Sequence, residues 1–179
     1  MSMIGNDLLN EAVHLQGLRD PAAVLQYMHE HLQDRLQQEE GTSVKDGMDV
    51  ALCFLDHERG VLRFAGARSP MVYVRQGALH ELKGTRLSVG GKGDGPFQAE
   101  EVPLEAGMAC YLFSDGYQDQ FGGPEGRKFM KKRLLERMAE WHARPMREQG
   151  EAFRQELADW MGESQQIDDI LLLGFRATA

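Results

Sequence analysis

Between Asp49 and Leu82 four short apolar runs follow one another with only turn-sized gaps, at 49–55, 61–65, 71–75 and 79–82. Each run has a strand's length, and the breaks at Asp56–Gly60, Arg68–Pro70 and Gln76-Gly77 carry turn residues. Parallel pairing needs a crossover of a dozen residues or more, which gaps of this size exclude. The runs are therefore expected as antiparallel neighbours, and the chain is committed to a sheet.

Helical texture lies on both sides of that block. Residues 7–16 place Leu8, Ala12 and Leu15 on one face, and residues 21–38 do the same with Val24, Tyr27, Met28, His31, Leu32 and Arg35. Asp20-Pro21 between them is a helix-start signal, a capping Asp followed by Pro at the first helical position. A loop is expected at 41–47. Residues 84–96 hold Gly84, Gly90, Gly91, Gly93 and Gly95 with Pro96, which reads as a mobile loop over a surface before strand-like sequence resumes at 97–102. A buried strand follows at 109–113, then helices at 128–141 and 146–161, and a closing strand at 169–175. Helices, antiparallel strands, helices and a last strand make an α+β layered domain. With 179 residues the chain suits one domain, 1–179.

Charge and cysteine usage narrow the function. A net charge of −8 argues against nucleic acid, whose phosphates call for clustered Lys and Arg. The one basic cluster, Arg127, Lys128, Lys131, Lys132 and Arg133, falls on an expected helix and reads as a solvated face. The apolar runs are too short to cross a bilayer, so no membrane contact is expected of this segment. Cys53 and Cys110 sit in apolar strands as small hydrophobes, and with no secretion signal they point to a reduced, cytoplasmic setting.

Two acidic spots stand out by position. Asp115, in Ser114-Asp115-Gly116, directly follows the apolar strand Tyr111-Leu112-Phe113, and Gly116 permits a sharp turn there. A helix starting at this point would put Asp115 and Asp119 on one face. From spacing alone, a helix cap explains Asp115 as well as a ligand does. Asp168-Asp169 stands just before the apolar run Ile170–Leu173, where a surface turn would explain the pair taken alone. Together the two spots flank strands expected in the core, so they can converge on one oxygen-rich site of the kind Mg²⁺ or Mn²⁺ prefers. Zinc spacing, a Walker loop and a Gly-x-Ser-x-Gly elbow are all missing from the sequence. His29 and His31 read as packed or solvated side chains.

Ordered motifs now add a resemblance. Asp46-Gly47-Met48-Asp49-Val50-Ala51-Leu52-Cys53, then Phe64-Ala65-Gly66-Ala67 with Pro70, resembles the middle of SpoIIE-like (RsbU-type) phosphatase domains. Tyr111–Gly116, continuing Asp119-Gln120-Phe121-Gly122-Gly123, is similar to their penultimate motif, and Gln166-Ile167-Asp168-Asp169-Ile170 to their terminal one. These domains belong to the metal-dependent protein phosphatases (PPM). The resemblance implies an α-β-β-α sandwich of antiparallel sheets with a two-metal Mn²⁺ or Mg²⁺ centre. Asp115 and Asp168 match metal-binding positions, Asp119 a position for a weaker additional metal, and Asp169 and Gly116 their surroundings. Gly90, Gly91 and Gly93 would belong to a substrate flap.

Relatives begin with a strand bearing an Asp, then a strand ending in an Asp-x-x-Gly-His-Gly turn. This sequence shows neither, and it is expected to start downstream of half the metal site and to be inactive alone. The implied enzyme is a protein serine/threonine phosphatase in signal transduction, hydrolysing phosphoserine or phosphothreonine through metal-activated water. Its implied substrate is a phosphorylated signalling protein such as an anti-sigma-factor antagonist. An upstream sensor or receiver domain and a homodimer complete the expectation. The alternative is a non-catalytic pseudophosphatase or dimerising module.

Overall fold

A computed structural model describes residues 2–40, 47–93 and 95–178. In chain order its elements are α1 (Ser2–Asn10) running into a π-helical turn (Glu11–Leu15), α2 (Pro21–Glu40), β1 (Val50–Asp56), β2 (Val61–Ala67), β3 (Met71–Arg75) and β4 (Ala78–Leu82). Then come β5 (Glu100–Pro103), β6 (Ala109–Phe113), the one-turn α3 (Gly116–Asp119), β7 (Phe121–Gly122), β8 (Arg127–Lys128), α4 (Lys131–Trp141), α5 (Met146–Met161) and β9 (Leu172–Arg176). The loop expected at 41–47 lies outside the described residues except for Gly47. The chain forms two compact units, Met1–Met71 with Leu82–Leu104 and Val72–Glu81 with Glu105–Ala179.

The first unit lays α1 and α2 on an antiparallel sheet of order β1-β2-β5. Val24, Leu25, Met28 and Leu32 recur at helical spacing on α2, and all are buried with Leu8 and Ala12 against Ala65 and Ala67 of β2. Asp20 starts α2 as expected: its Oδ1 accepts the Ala23 amide at 2.9 Å, and its carboxylate also pairs with Arg63 of β2. The cap thus ties helix to sheet.

The second unit has a sheet of order β4-β3-β6-β9 and the small antiparallel hairpin β7-β8. Gln76 and Gly77 both take positive φ, 50° and 78°, the geometry of a two-residue hairpin turn between β3 and β4. Leu134, Met138 and Trp141 share one face of α4 and bury against Val72, Val74, Tyr111 and Phe113, with Phe153 of α5 and the rings of Tyr117 and Phe129 beside them. The rings meet edge to face, Tyr117 on Phe129 at 5.1 Å and Trp141 on Phe153 at 4.9 Å. Buried hydroxyls keep partners: Tyr111 donates to Gln149 Oε1 at 2.6 Å, and Tyr117 to the Phe153 carbonyl at 2.8 Å. Burial pushes the Tyr111 phenol up to about 12.

The antiparallel α+β class is as expected, but four local expectations need correction. The chain does not run on from β2 to pair β3 beside it; the two strands belong to different sheets, and β5 takes the place next to β2. The break comes at Arg68, whose φ of 54° turns the backbone out of the ladder ahead of Ser69-Pro70. The helix expected from 128 starts at Lys131, because Arg127 and Lys128 pair with Phe121 and Gly122. The closing strand starts at Leu172 rather than 169. Its apolar run is not all core: Ile170 and Leu172 pack inward, while Leu171 and Leu173 are 62% and 52% exposed. β9 stands at the end of its sheet, so burial there depends on what covers an edge.

The basic cluster is neutralised by ion pairs of Arg127 with Glu125, Lys128 with Asp119, Lys131 with Glu81, Lys132 with Glu136 and Arg133 with Glu156. Cys53 and Cys110 are thiols outside any disulfide, and burial pushes that of Cys53 up to about 12. Among the described residues no helix is long and apolar enough to cross a membrane.

Candidate functional site

The antiparallel register of β6 and β9 decides where the two acidic spots fall. Phe113 stands opposite Leu172, so the turn leaving β6 must run beside the turn entering β9. One further rung continues the ladder, from the Ser114 amide to the Leu171 carbonyl at 3.0 Å. The Ser114 hydroxyl then locks the turns together, donating to the Asp169 carbonyl at 2.8 Å and accepting the Leu171 amide at 2.9 Å. On the far side of Asp115, Gly116 lies so close that an added Cβ would strike the Asp169 carbonyl oxygen. Asp115 therefore sits between two residues that both touch Asp169.

The Asp115 carboxylate is spare. It stands at the N-cap of α3 with φ −71° and ψ −20°, yet its side chain makes no capping hydrogen bond. Among the described residues only its backbone carbonyl is engaged, by the Asp119 amide at 2.9 Å. Asp119 is ion-paired with Lys128 at 3.0 Å. Asp168 Oδ1 accepts the amide of Asp169 at 2.7 Å, and both residues are exposed.

Gln120 holds the second turn in place. It is fully buried; its Nε2 donates to the Gln165 carbonyl at 2.9 Å, and its Oε1 accepts the Ile167 amide at 3.4 Å. Ser114 and Gln120 are the positioning residues that reading the acidic pattern alone misses. Both lie inside the quoted motif, and a Ser or Gln kept against a core strand is the signal that marks them.

Residues 84–93 belong to the first unit and are tied to it by hydrogen bonds. Thr85 exchanges backbone hydrogen bonds with Gly66 and Arg68, and Val89 exchanges a pair with Met48. The Gly90 amide donates to Nδ1 of buried His29 at 3.0 Å, and Gln33 Nε2 donates to the Gly91 carbonyl at 3.0 Å. Gly90 has φ 75° and lies against Leu32, where a Cβ would meet the leucine at 2.6 Å. Gly90 and Gly91 are buried, and exposed backbone begins at Lys92 and includes Gly93. Such contacts join residues about 60 apart, which glycine content cannot announce.

Carboxylates beside exposed turns suit Mn²⁺ or Mg²⁺ in kind. In number they do not suffice. Among the described residues no group of three or more His, Cys, Asp or Glu side chains could hold a metal ion. A bridged two-metal centre needs further donors from outside those residues, so no catalytic step is derived through one.

The family model for stage II sporulation protein E (SpoIIE) matches residues 1–178. The chain belongs to the SpoIIE family. A solved SiaA-PP2C domain of Pseudomonas aeruginosa is 34% identical, with TM-score 0.86 over 98% of this chain and 68% of that one. The PP2C phosphatase domain of Bacillus subtilis SpoIIE, solved with a fragment of its regulatory domain, matches at 15% identity and TM-score 0.71, over 96% of this chain and 48% of that one. The RsbU and RsbW domains of a Mycobacterium tuberculosis protein match at 17% identity and TM-score 0.71, over 97% and 46%. No curated protein matches the chain. By family and fold this is a PP2C-type protein phosphatase domain.

Proposed function

We propose that this chain carries part of the metal site of a serine/threonine phosphatase acting on a phosphorylated signalling protein. The observation that supports it best is the Ser114 lock, which holds the turn carrying Asp115 against the backbone of Asp169 and Leu171. Asp115 and Asp168 are the proposed metal ligands. Asp169 and Gly116 shape the turn around them, and Asp119 would be released from Lys128 to join an additional metal. The exposed end of the glycine-rich loop, from Lys92 through Gly93, is the part proposed to meet substrate. An anti-sigma-factor antagonist is the proposed substrate, with an upstream sensor or receiver region controlling the enzyme in the cytoplasm.

Metal binding tests this reading. Titrating Mn²⁺ into the chain while following its electron paramagnetic resonance should show weak binding that Asp115→Asn and Asp168→Asn each remove. Unchanged binding in both variants would place the metal elsewhere.

A second reading, a non-catalytic module recognising a phosphorylated partner, is favoured by the lack of a third metal donor among the described residues. Self-association is proposed under either reading. The edge strand β9 offers unpaired backbone, and beside it a groove of about 500 Å³ runs between α5 and the exposed Leu171 and Leu173.

A further inference from the structure

The pinned turn of the first unit carries an unusual set of charges. Lys83, Arg86 and Lys92 are all exposed. Among the described residues every other Lys and Arg except Arg154 has a carboxylate, carbonyl or ring partner. Among the described residues these three have none. In a chain with net charge −8, three cations without a partner among the described residues fall within ten residues, and residues 83–98 hold a single acid, Asp94.

The backbone presents Arg86 and Lys92 from fixed points. Arg86 follows Thr85, which is bonded to Gly66 and Arg68; Lys92 follows Gly91, which is bonded to Gln33. The turn folds back so that a Cβ on Gly93 would meet Leu87 Cδ1 at 3.2 Å, which puts Arg86 and Lys92 on adjacent arms. Arg68 stands next to Thr85 with only a loose partner, Asp49 at 3.9 Å. A surface whose cations are left unpaired and held in place is electrostatically ready for an anion.

The rest of the molecule narrows which anion. A chain this acidic repels long polyanions such as duplex nucleic acid. The apolar side chains Val89 and Phe97 are buried, so no wedge projects for a bilayer. A short acidic stretch of a folded or unfolded protein meets neither obstacle. Exposed charge pairs speed encounter more than they tighten it, which suits a transient partner.

We infer that Lys83, Arg86 and Lys92, with Arg68 beside them, form a docking surface for an acidic segment of a partner protein. Naming that partner as the phosphoprotein substrate rests on the function proposed above; the charge match does not.

The test uses the full chain and a fluorescent peptide of alternating Glu and Ala around one central Ser, with a Gln-for-Glu version as its neutral counterpart. Anisotropy should show the acidic peptide binding, the neutral one not, and affinity falling as salt rises to ~0.15 M. Lys83→Gln, Arg86→Gln and Lys92→Gln together should weaken binding roughly tenfold. A control pair outside the turn, Lys132→Gln with Arg147→Gln, should leave it unchanged. Reversing the three charges to Glu should transfer preference to a Lys-Ala peptide, a gain that misfolding cannot mimic. Equal binding by the triple Gln variant, or by the neutral peptide, would overturn the proposal. So would tighter binding to phosphatidylserine vesicles or duplex DNA through the same residues. Asp115→Asn should leave peptide affinity intact, so failure of the catalytic reading and failure of this surface are separate results.

Discussion

The Ser114 hydroxyl donates to the carbonyl oxygen of Asp169 at 2.8 Å, joining residues 55 apart in sequence. Ser114 Oγ in turn accepts the Leu171 amide at 2.9 Å, so one side chain closes the acidic end of the sheet. Ser114→Ala should lower stability by about 1 kcal/mol, the scale of a hydrogen bond exchanged for water. Mn²⁺ affinity should fall with it, since Asp115 loses its fixed neighbour. Chemical denaturation and metal titration on the same variant check both parts. Lost stability with unchanged metal affinity would show that the lock serves the fold alone.

Tyr111 makes stability depend on alkaline pH. Its folded phenol is raised to about 12, while the unfolded one titrates near the ordinary value of 10.0. Stability from this group is therefore complete below pH 10 and declines as pH rises toward 12, where the unfolded chain loses its proton first. Burial raises the Tyr117 phenol too, so the two slopes add. Tyr111→Phe should flatten the decline between these limits in urea melts. At neutral pH it should cost about 1–3 kcal/mol, because the buried Gln149 Oε1 loses its donor.

Self-association should proceed through β9. Light scattering across a concentration series is expected to show a dimer, the commonest closed assembly. Leu171→Lys with Leu173→Lys should return the chain to monomer, because both side chains are exposed on the edge strand. A wild-type chain that stays monomeric at high concentration and unfolds cooperatively would show that its two units close their cores unaided.

Much of this architecture can be read from residue pattern, for reasons that also mark where reading stops. β3, β6 and α5 begin and end where the pattern puts them, at 71–75, 109–113 and 146–161. Their apolar spacing and flanking breakers agree, so local and tertiary preferences point one way. That the turn at Asp115 runs beside the turn at Asp169 could be expected because each flanks an apolar strand. Where β2 hands over to β3, the residues Arg68-Ser69-Pro70 announce a turn but not which sheet the chain enters next. Leu171 and Leu173 look like core because apolar runs usually are; an edge position is a fact about neighbours. The anchors of Gly90 and Gly91 lie on α2, and the burial of Gln120 depends on Gln165 and Ile167. Such long-range hydrogen bonds leave no periodic trace in sequence.

Phosphatase activity in two proteins tests the central claim most directly. The first is the 179-residue chain. The second is a chimera in which the part of the SiaA-PP2C domain that this chain does not cover is joined to it. With Mn²⁺ and a phosphoserine peptide, the chain alone should turn over little or nothing, because two carboxylates cannot hold a bridged pair. The chimera should gain metal-dependent activity. Asp115→Asn and Asp168→Asn in the chimera should each lower the rate at least about a hundredfold, roughly 3 kcal/mol of transition-state stabilisation. Robust activity in the chain alone, or a chimera indifferent to both Asp substitutions, would contradict the account.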